Sequence, residues 1–175
     1  MMSELEAFRQ EKDAFFKYAP FPQSPLMPEQ QRGFRGLSYY PENPALRLEV
    51  EVQPFANPER VQMLTNTGEV QTYLKWGTFE FEVEGQKAEL VIFRDTQGGF
   101  FLPFQDATNG METYSAGRYL EPRRLPDGRL LVDFNYAYNP YCAYNEAWSC
   151  PIPPKENRLR VPIRAGEKAF GLTDH

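Results

Sequence analysis

Histidine is almost missing from this chain: the one copy among 175 residues is His175, the last position. Imidazole is the side chain that titrates near neutral pH and the commonest partner for a nucleophile or a metal. Its scarcity excludes Ser-His-Asp triads, HExxH zinc sites and most imidazole acid–base schemes, because a terminal residue is expected to fray. Cysteine is scarce as well, with Cys142 and Cys150 alone. Two thiols do not complete a zinc site, so no metal and no cofactor is expected. Clustered basic charge is also lacking. The net charge is −5, and the local basic pairs Arg32/Arg35 and Arg123/Arg124 stand among acidic residues. Nucleic acid is therefore not an expected partner, since phosphate binding needs a basic face. No apolar run approaches the roughly 20 residues of a membrane span. The first residues are charged from Glu4 onward without an apolar stretch, so neither a membrane partner nor a secretory leader is expected and the default compartment is the cytoplasm. P-loop, Rossmann and GxSxG signatures are missing too.

What is present suits one globular domain spanning 1–175. Hydrophobic residues make up 41% and aromatics 15%, enough to bury a core. The 16 prolines and 12 glycines are spread between short apolar runs, which fits strands joined by many turns. The helix signal lies at 3–17, where Ser3 and Glu6 have capping-box spacing. Leu5, Phe8, Phe15 and Phe16 make an apolar stripe there, interrupted by Lys12. Pro20, Pro22, Pro25 and Pro28 then predict an extended arm over 18–45.

From 46 to 165 the period is two. A turn at Asn66-Thr67-Gly68 joins the runs Val61–Leu64 and Val70–Trp76. A two-residue turn at Glu84-Gly85 pairs Val83 with Gln86, Phe81 with Ala88 and Phe79 with Leu90, leaving one dry face and one wet one. Further strands are expected at Phe100–Phe104, Arg118–Glu121, Arg129–Asn135 and, at an edge because of Pro162, Leu159–Ile163. The fold class is all-β, mainly antiparallel: a small barrel-like or sandwich meander with an N-terminal helix and a proline-rich arm.

The densest polar and aromatic stretch runs from Asp106 to Leu159. Within it, Pro126-Asp127-Gly128 forms a three-residue hairpin loop that pairs Arg123 with Leu131, Glu121 with Asp133 and Tyr119 with Asn135. One face of that hairpin then collects Tyr119, Glu121, Arg123, Asp133 and Asn135. It is either a solvated outer face or the lining of a ligand cavity. The loop before it holds Asp106, Glu112 and Tyr114, either as a self-bonded turn or as site residues. Arg118 is the expected anion anchor, because its guanidinium is a planar fork. With Asn139, these ten residues make up the candidate ligand site. Turns at Asn139-Pro140 and Pro151 bring Cys142 and Cys150 near one another, as free thiols or as a disulfide; a reactive nucleophile is disfavoured without a histidine partner.

The segments AFRQEKDAFF, SPL at 24–26, FRGLSYYP at 34–41, FQDATNGMETYSAGRYL, FNYAYNPYCAYNEAWSCPIPPKENRL and AGEK at 165–168 extend over most of the chain. In these the chain resembles the bacterial domain-of-unknown-function 1684 family. The resemblance implies no activity and transfers no catalytic residue. It implies that the 106–159 block is what the family is recognised by. Three functions are open. The first is a β-barrel module that binds a small polar or anionic ligand. The second is a hydrolase or lyase that uses Asp106, Glu112 or Asp133 as acid or base. The third is an interaction or assembly module that presents the Tyr136–Trp148 loop. Oligomeric state is not legible.

Overall fold

The computed structural model describes residues 2–171; His175 lies outside them. The first element, α1 (Glu4–Tyr18), starts where Ser3 accepts the Glu6 N–H at 3.1 Å and ends before Pro20. Its docking face is Leu5, Arg9, Lys12 and Phe16, at helical spacing i, i+4, i+7, i+11. Lys12 therefore belongs to the inward stripe that it was expected to interrupt. It pairs with the buried Glu167, and Arg9 donates to the Tyr40 carbonyl at 2.9 Å. Phe8 and Phe15 stay partly exposed. The helix is thus held by cations reaching into the body as much as by apolar burial.

The arm is not extended throughout. Pro28 occupies the first turn of a second short helix, α2 (Pro28–Gly33), where its missing N–H costs nothing. Gln30 accepts the Met27 N–H at 2.8 Å ahead of it. Ser24 and Leu26 are fully buried, and Ser24 Oγ donates to the Phe16 carbonyl at 2.7 Å. Farther on, Tyr39 bridges to Glu167, clipping the arm to the C-terminal segment.

Among the described residues eight strands follow, all paired antiparallel. They are β1 (Arg47–Val50), β2 (Gln53–Leu64), β3 (Val70–Val83), β4 (Gln86–Arg94), β5 (Phe100–Phe104), β6 (Arg118–Leu120), β7 (Arg123–Arg124) and β8 (Leu130–Asp133). They form a five-stranded sheet in the order β2-β3-β4-β5-β6 and a three-stranded sheet in the order β1-β8-β7. Among the described residues no barrel closes; the arrangement is sandwich-like. The Glu84-Gly85 hairpin has the expected register, with Phe79 opposite Leu90, Phe81 opposite Ala88 and Glu82 opposite Lys87. Its inward side chains, Phe79, Phe81, Val83, Leu90 and Ile92, pack against Val50, Leu130 and Val132 of the smaller sheet.

The wet face expected of this hairpin is confined to the turn end. From Leu90 to Phe93 every residue is buried, because a second apolar layer covers the outer face. Val91, Phe93, Phe101 and Tyr119 pack there against Cys142 and Cys150 from the 138–151 segment. Leu159–Ile163 forms no strand; Leu159 donates to the Gln105 carbonyl at 2.7 Å and the Val161 carbonyl accepts the Ala107 N–H at 3.1 Å. Among the described residues no helix is long and apolar enough to cross a membrane.

Candidate functional site

Arg118 and Asp106 meet, but in the core. Both side chains are fully buried, with Nη2 3.0 Å from Asp106 Oδ2. Nη2 also donates to the Ile163 carbonyl at 2.8 Å, and Nη1 donates to the carbonyls of Ala165 at 2.5 Å and Glu167 at 3.1 Å. Asp106 Oδ1 accepts from the Thr108 N–H and hydroxyl, and Oδ2 accepts the Ile163 N–H at 2.8 Å. Burial lowers the Arg118 pKa and the adjacent Asp106 opposes that shift. Four of the guanidinium's hydrogen bonds are made within the protein, so this fork clamps the C-terminal segment onto β6. The expectation of an anion anchor moves away from Arg118 for that reason.

The loop leading to β6 is likewise closed on itself. Asn109 Nδ2 donates to Thr113 Oγ1 at 2.9 Å and to the Tyr114 carbonyl at 3.0 Å. Glu112 accepts from the Tyr40 hydroxyl at 2.8 Å and lies 3.5 Å from Arg164. Tyr114 points its hydroxyl at Cys142 Sγ, 3.6 Å away.

The expected hairpin face forms at its loop but not at its open end. Arg123 faces Leu131 and Arg124 faces Leu130 as expected, but the ladder stops at Pro122. The chain crosses there from the five-stranded sheet to the three-stranded one. Asp133 therefore stands opposite Arg47 of β1 rather than Glu121. Tyr119 bridges to Tyr138 rather than Asn135. Asn135 instead clasps Asn43, accepting its N–H at 2.8 Å and donating to its carbonyl at 3.0 Å.

Glu121, Arg123 and Asp133 nevertheless line one pocket, of about 360 Å³, between α1 and the small sheet. Phe8, Leu120, Leu131 and Tyr136 give it an apolar wall, while Arg47 and Glu4 complete its charge. Asp133 Oδ1 accepts the Asn135 N–H at 3.0 Å, and its Oδ2 lies 3.8 Å from Arg47. Glu121 accepts the Tyr138 hydroxyl at 2.5 Å. Arg123 is exposed, and among the described residues its side chain has no hydrogen-bond or ion-pair partner.

Glu167, within AGEK, carries no periodic or motif signal of its own. It is 1% exposed and accepts from Lys12, from the Tyr144 hydroxyl and from the Asn139 N–H at 3.2 Å. Asn139 is part of this network, with its amide donating to the Lys168 carbonyl at 3.0 Å. A lysine at an inward helical position was the available signal.

Cys142 and Cys150 are free, buried thiols brought together as expected, with the Cys142 N–H donating to Cys150 Sγ at 3.4 Å. The hydrogen bond between the thiols draws Cys142 down to about 7; burial opposes this and Tyr114 assists it. Cys150 is pushed up by the same pairing and by burial. Among the described residues no group of three or more His, Cys, Asp or Glu side chains is placed to hold a metal ion.

Fold and pocket together define a two-sheet antiparallel β protein with an N-terminal helix laid along one pocket. The model of the family described as "Protein of unknown function (DUF1684)" matches residues 32–168, and the chain belongs to that family. It is also similar to the solution NMR structure of the uncharacterized protein from gene locus rrnAC0354 of Haloarcula marismortui. Identity is 39% and the TM-score 0.71, covering 97% of this chain and 95% of that one. No curated protein matches the chain.

Proposed function

We propose that this chain is a small-molecule-binding module whose ligand sets an anionic or polar head against Arg123. One observation carries the reading: Arg123 lines a pocket of about 360 Å³ while, among the described residues, its guanidinium has no partner. A planar fork left open in this way suits a carboxylate. The wall of Phe8, Leu120, Leu131 and Tyr136 suits an aliphatic or aromatic body. Glu4 and Glu121 disfavour a polyanion and favour hydroxyl or amine donors on that body. The carboxylates considered for acid–base work have separate duties. Asp106 is clamped in the core, Glu112 holds Tyr40, and Asp133 accepts from Asn135.

A thermal-shift screen of small carboxylates on the wild type and on Arg123→Ala tests the proposal. Hits that vanish in Arg123→Ala support it, and hits indifferent to that change overturn it. Exposed apolar side chains favour the interaction reading as a second one. Phe15, Tyr18, Phe21 and Met27 are 46%, 77%, 45% and 43% exposed around the end of α1 and the arm. They replace the Tyr136–Trp148 loop as the candidate surface, since Tyr144 in that loop is buried. Self-association that is lost in Tyr18→Ser, measured by sedimentation, supports it.

A further inference from the structure

A second pocket, of about 530 Å³, shares Glu121 and Tyr138 with the first but has the opposite character. Its lining contains no Arg, Lys or His, whereas Asp95 and Glu121 supply two carboxylates. Tyr73, Phe101, Tyr119 and Tyr138 form an aromatic wall. Tyr73 stacks on Phe101 with centroids 5.1 Å apart, and Tyr119 meets both Phe101 and Tyr138 edge-to-face. Phe100 also borders the space, but the Arg94 guanidinium sits 4.7 Å from its ring centroid, and Lys12 Nζ lies 5.1 Å from that of Tyr138, so the rings without a cation of the chain over them are Tyr73, Phe101 and Tyr119.

The side-chain hydroxyl donors around this pocket are already engaged. The Tyr73 hydroxyl donates to Gln71 at 2.9 Å, that of Tyr138 donates to Glu121 at 2.5 Å, and that of Tyr119 donates to the Pro151 carbonyl. The Gly99 N–H donates to Asp95 Oδ1 at 2.9 Å, and Pro122 and Pro151 have no N–H to offer. The remaining oxygens, Asp95 Oδ2 and Glu121 Oε2, have no hydrogen-bond partner among the described residues. The cavity thus presents acceptors and ring faces and withholds its side-chain donors. An anion would meet repulsion there, and a neutral apolar body would desolvate two carboxylates without compensation. A cation satisfies both features at once.

We propose that this pocket binds a small organic cation of the methylated-ammonium class. The charge spreads over the methyl groups, which sit against the ring faces, while Asp95 and Glu121 neutralise it. Burial first, and then Asp95, pushes Tyr73 up to about 12. Tyr138 is raised by burial and then by Glu121. The hydroxyls therefore stay protonated and remain committed to their acceptors. The site does not depend on Arg123.

Choline and its neutral carbon isostere 3,3-dimethyl-1-butanol, titrated into the full chain and followed by NMR, test this. The proposal expects saturable shifts at Tyr73, Phe101 and Tyr119, with the isostere at least about tenfold weaker. Asp95→Asn keeps an oxygen for the Gln97 and Gly99 N–H groups, so the turn is retained while the charge is lost. It is expected to weaken choline several-fold and to leave carboxylate hits at the Arg123 pocket untouched. Arg123→Ala is expected to do the reverse. Equal binding of the isostere, indifference to Asp95→Asn in a folded variant, or no saturable shift up to roughly 10 mM choline overturns the proposal.

Discussion

Arg118→Met is the sharpest perturbation of this fold, because it removes the charge and the donors while retaining most of the side-chain volume. Three carbonyls, those of Ile163, Ala165 and Glu167, then lose donors in the core. Asp106 keeps the N–H groups of Thr108 and Ile163 but loses its one counter-charge. Breaking a buried pair by removing one partner costs about 3–5 kcal/mol. In a domain of this size each kcal/mol lowers Tm by roughly 2–4 °C, so a drop of about 6–20 °C is expected. Urea denaturation followed by the fluorescence of Trp76 and Trp148 measures the free-energy loss, and a thermal melt measures the Tm shift. The double variant Asp106→Asn/Arg118→Met tests the cause, since removing both charges should cost less than the sum of the single changes. Arg123→Met, outside the core, should stay within about 0.5 kcal/mol of wild type. A loss below about 1 kcal/mol for Arg118→Met, or strict additivity in the cycle, refutes the clamp.

Lys12→Met strands the buried Glu167 and should cost about 3–5 kcal/mol, with α1 exchanging its amide hydrogens first. Adding Glu167→Gln should recover part of that loss in the same denaturation assay. An added Cβ at Gly77 would stand 2.7 Å from both the Gln53 carbonyl oxygen and Val52 Cγ1, so Gly77→Ala should cost about 1–3 kcal/mol. Gly33 has nothing within 4 Å, so Gly33→Ala should be neutral or stabilising by up to about 1 kcal/mol when Tm values are compared. Burial raises Tyr40 and Tyr73 from 10.0 to about 12, with Glu112 and Asp95 respectively adding to the shift. A raised folded pKa means the stabilisation is intact below pH 10.0 and is lost as pH climbs to about 12. Ultraviolet titration should show these tyrosines ionising late, together with alkaline unfolding. Full tyrosinate at pH 10.0 in a folded chain would contradict that assignment.

Local chemistry made much of this protein legible in its sequence. The Ser3 cap, the Glu84-Gly85 register and the Leu125–Arg129 loop all depend on residues close along the chain. Their backbone preferences and alternating burial decide the outcome before any distant partner arrives. So does the long signature that places the chain in the DUF1684 family. The tertiary structure alone decided the rest. Whether Arg118 meets solvent or the carbonyls of 163–167 depends on a segment some 45 residues away. Whether Glu121 faces Asp133 across a ladder or across a pocket depends on Pro122, where the chain changes sheet. Lys12 looked like a break in a stripe because its partner Glu167 lies 155 positions farther on. Polar side chains carry no periodic mark of where they point. A charge reads the same whether water or a buried counter-charge satisfies it, and only the packed chain supplies one or the other.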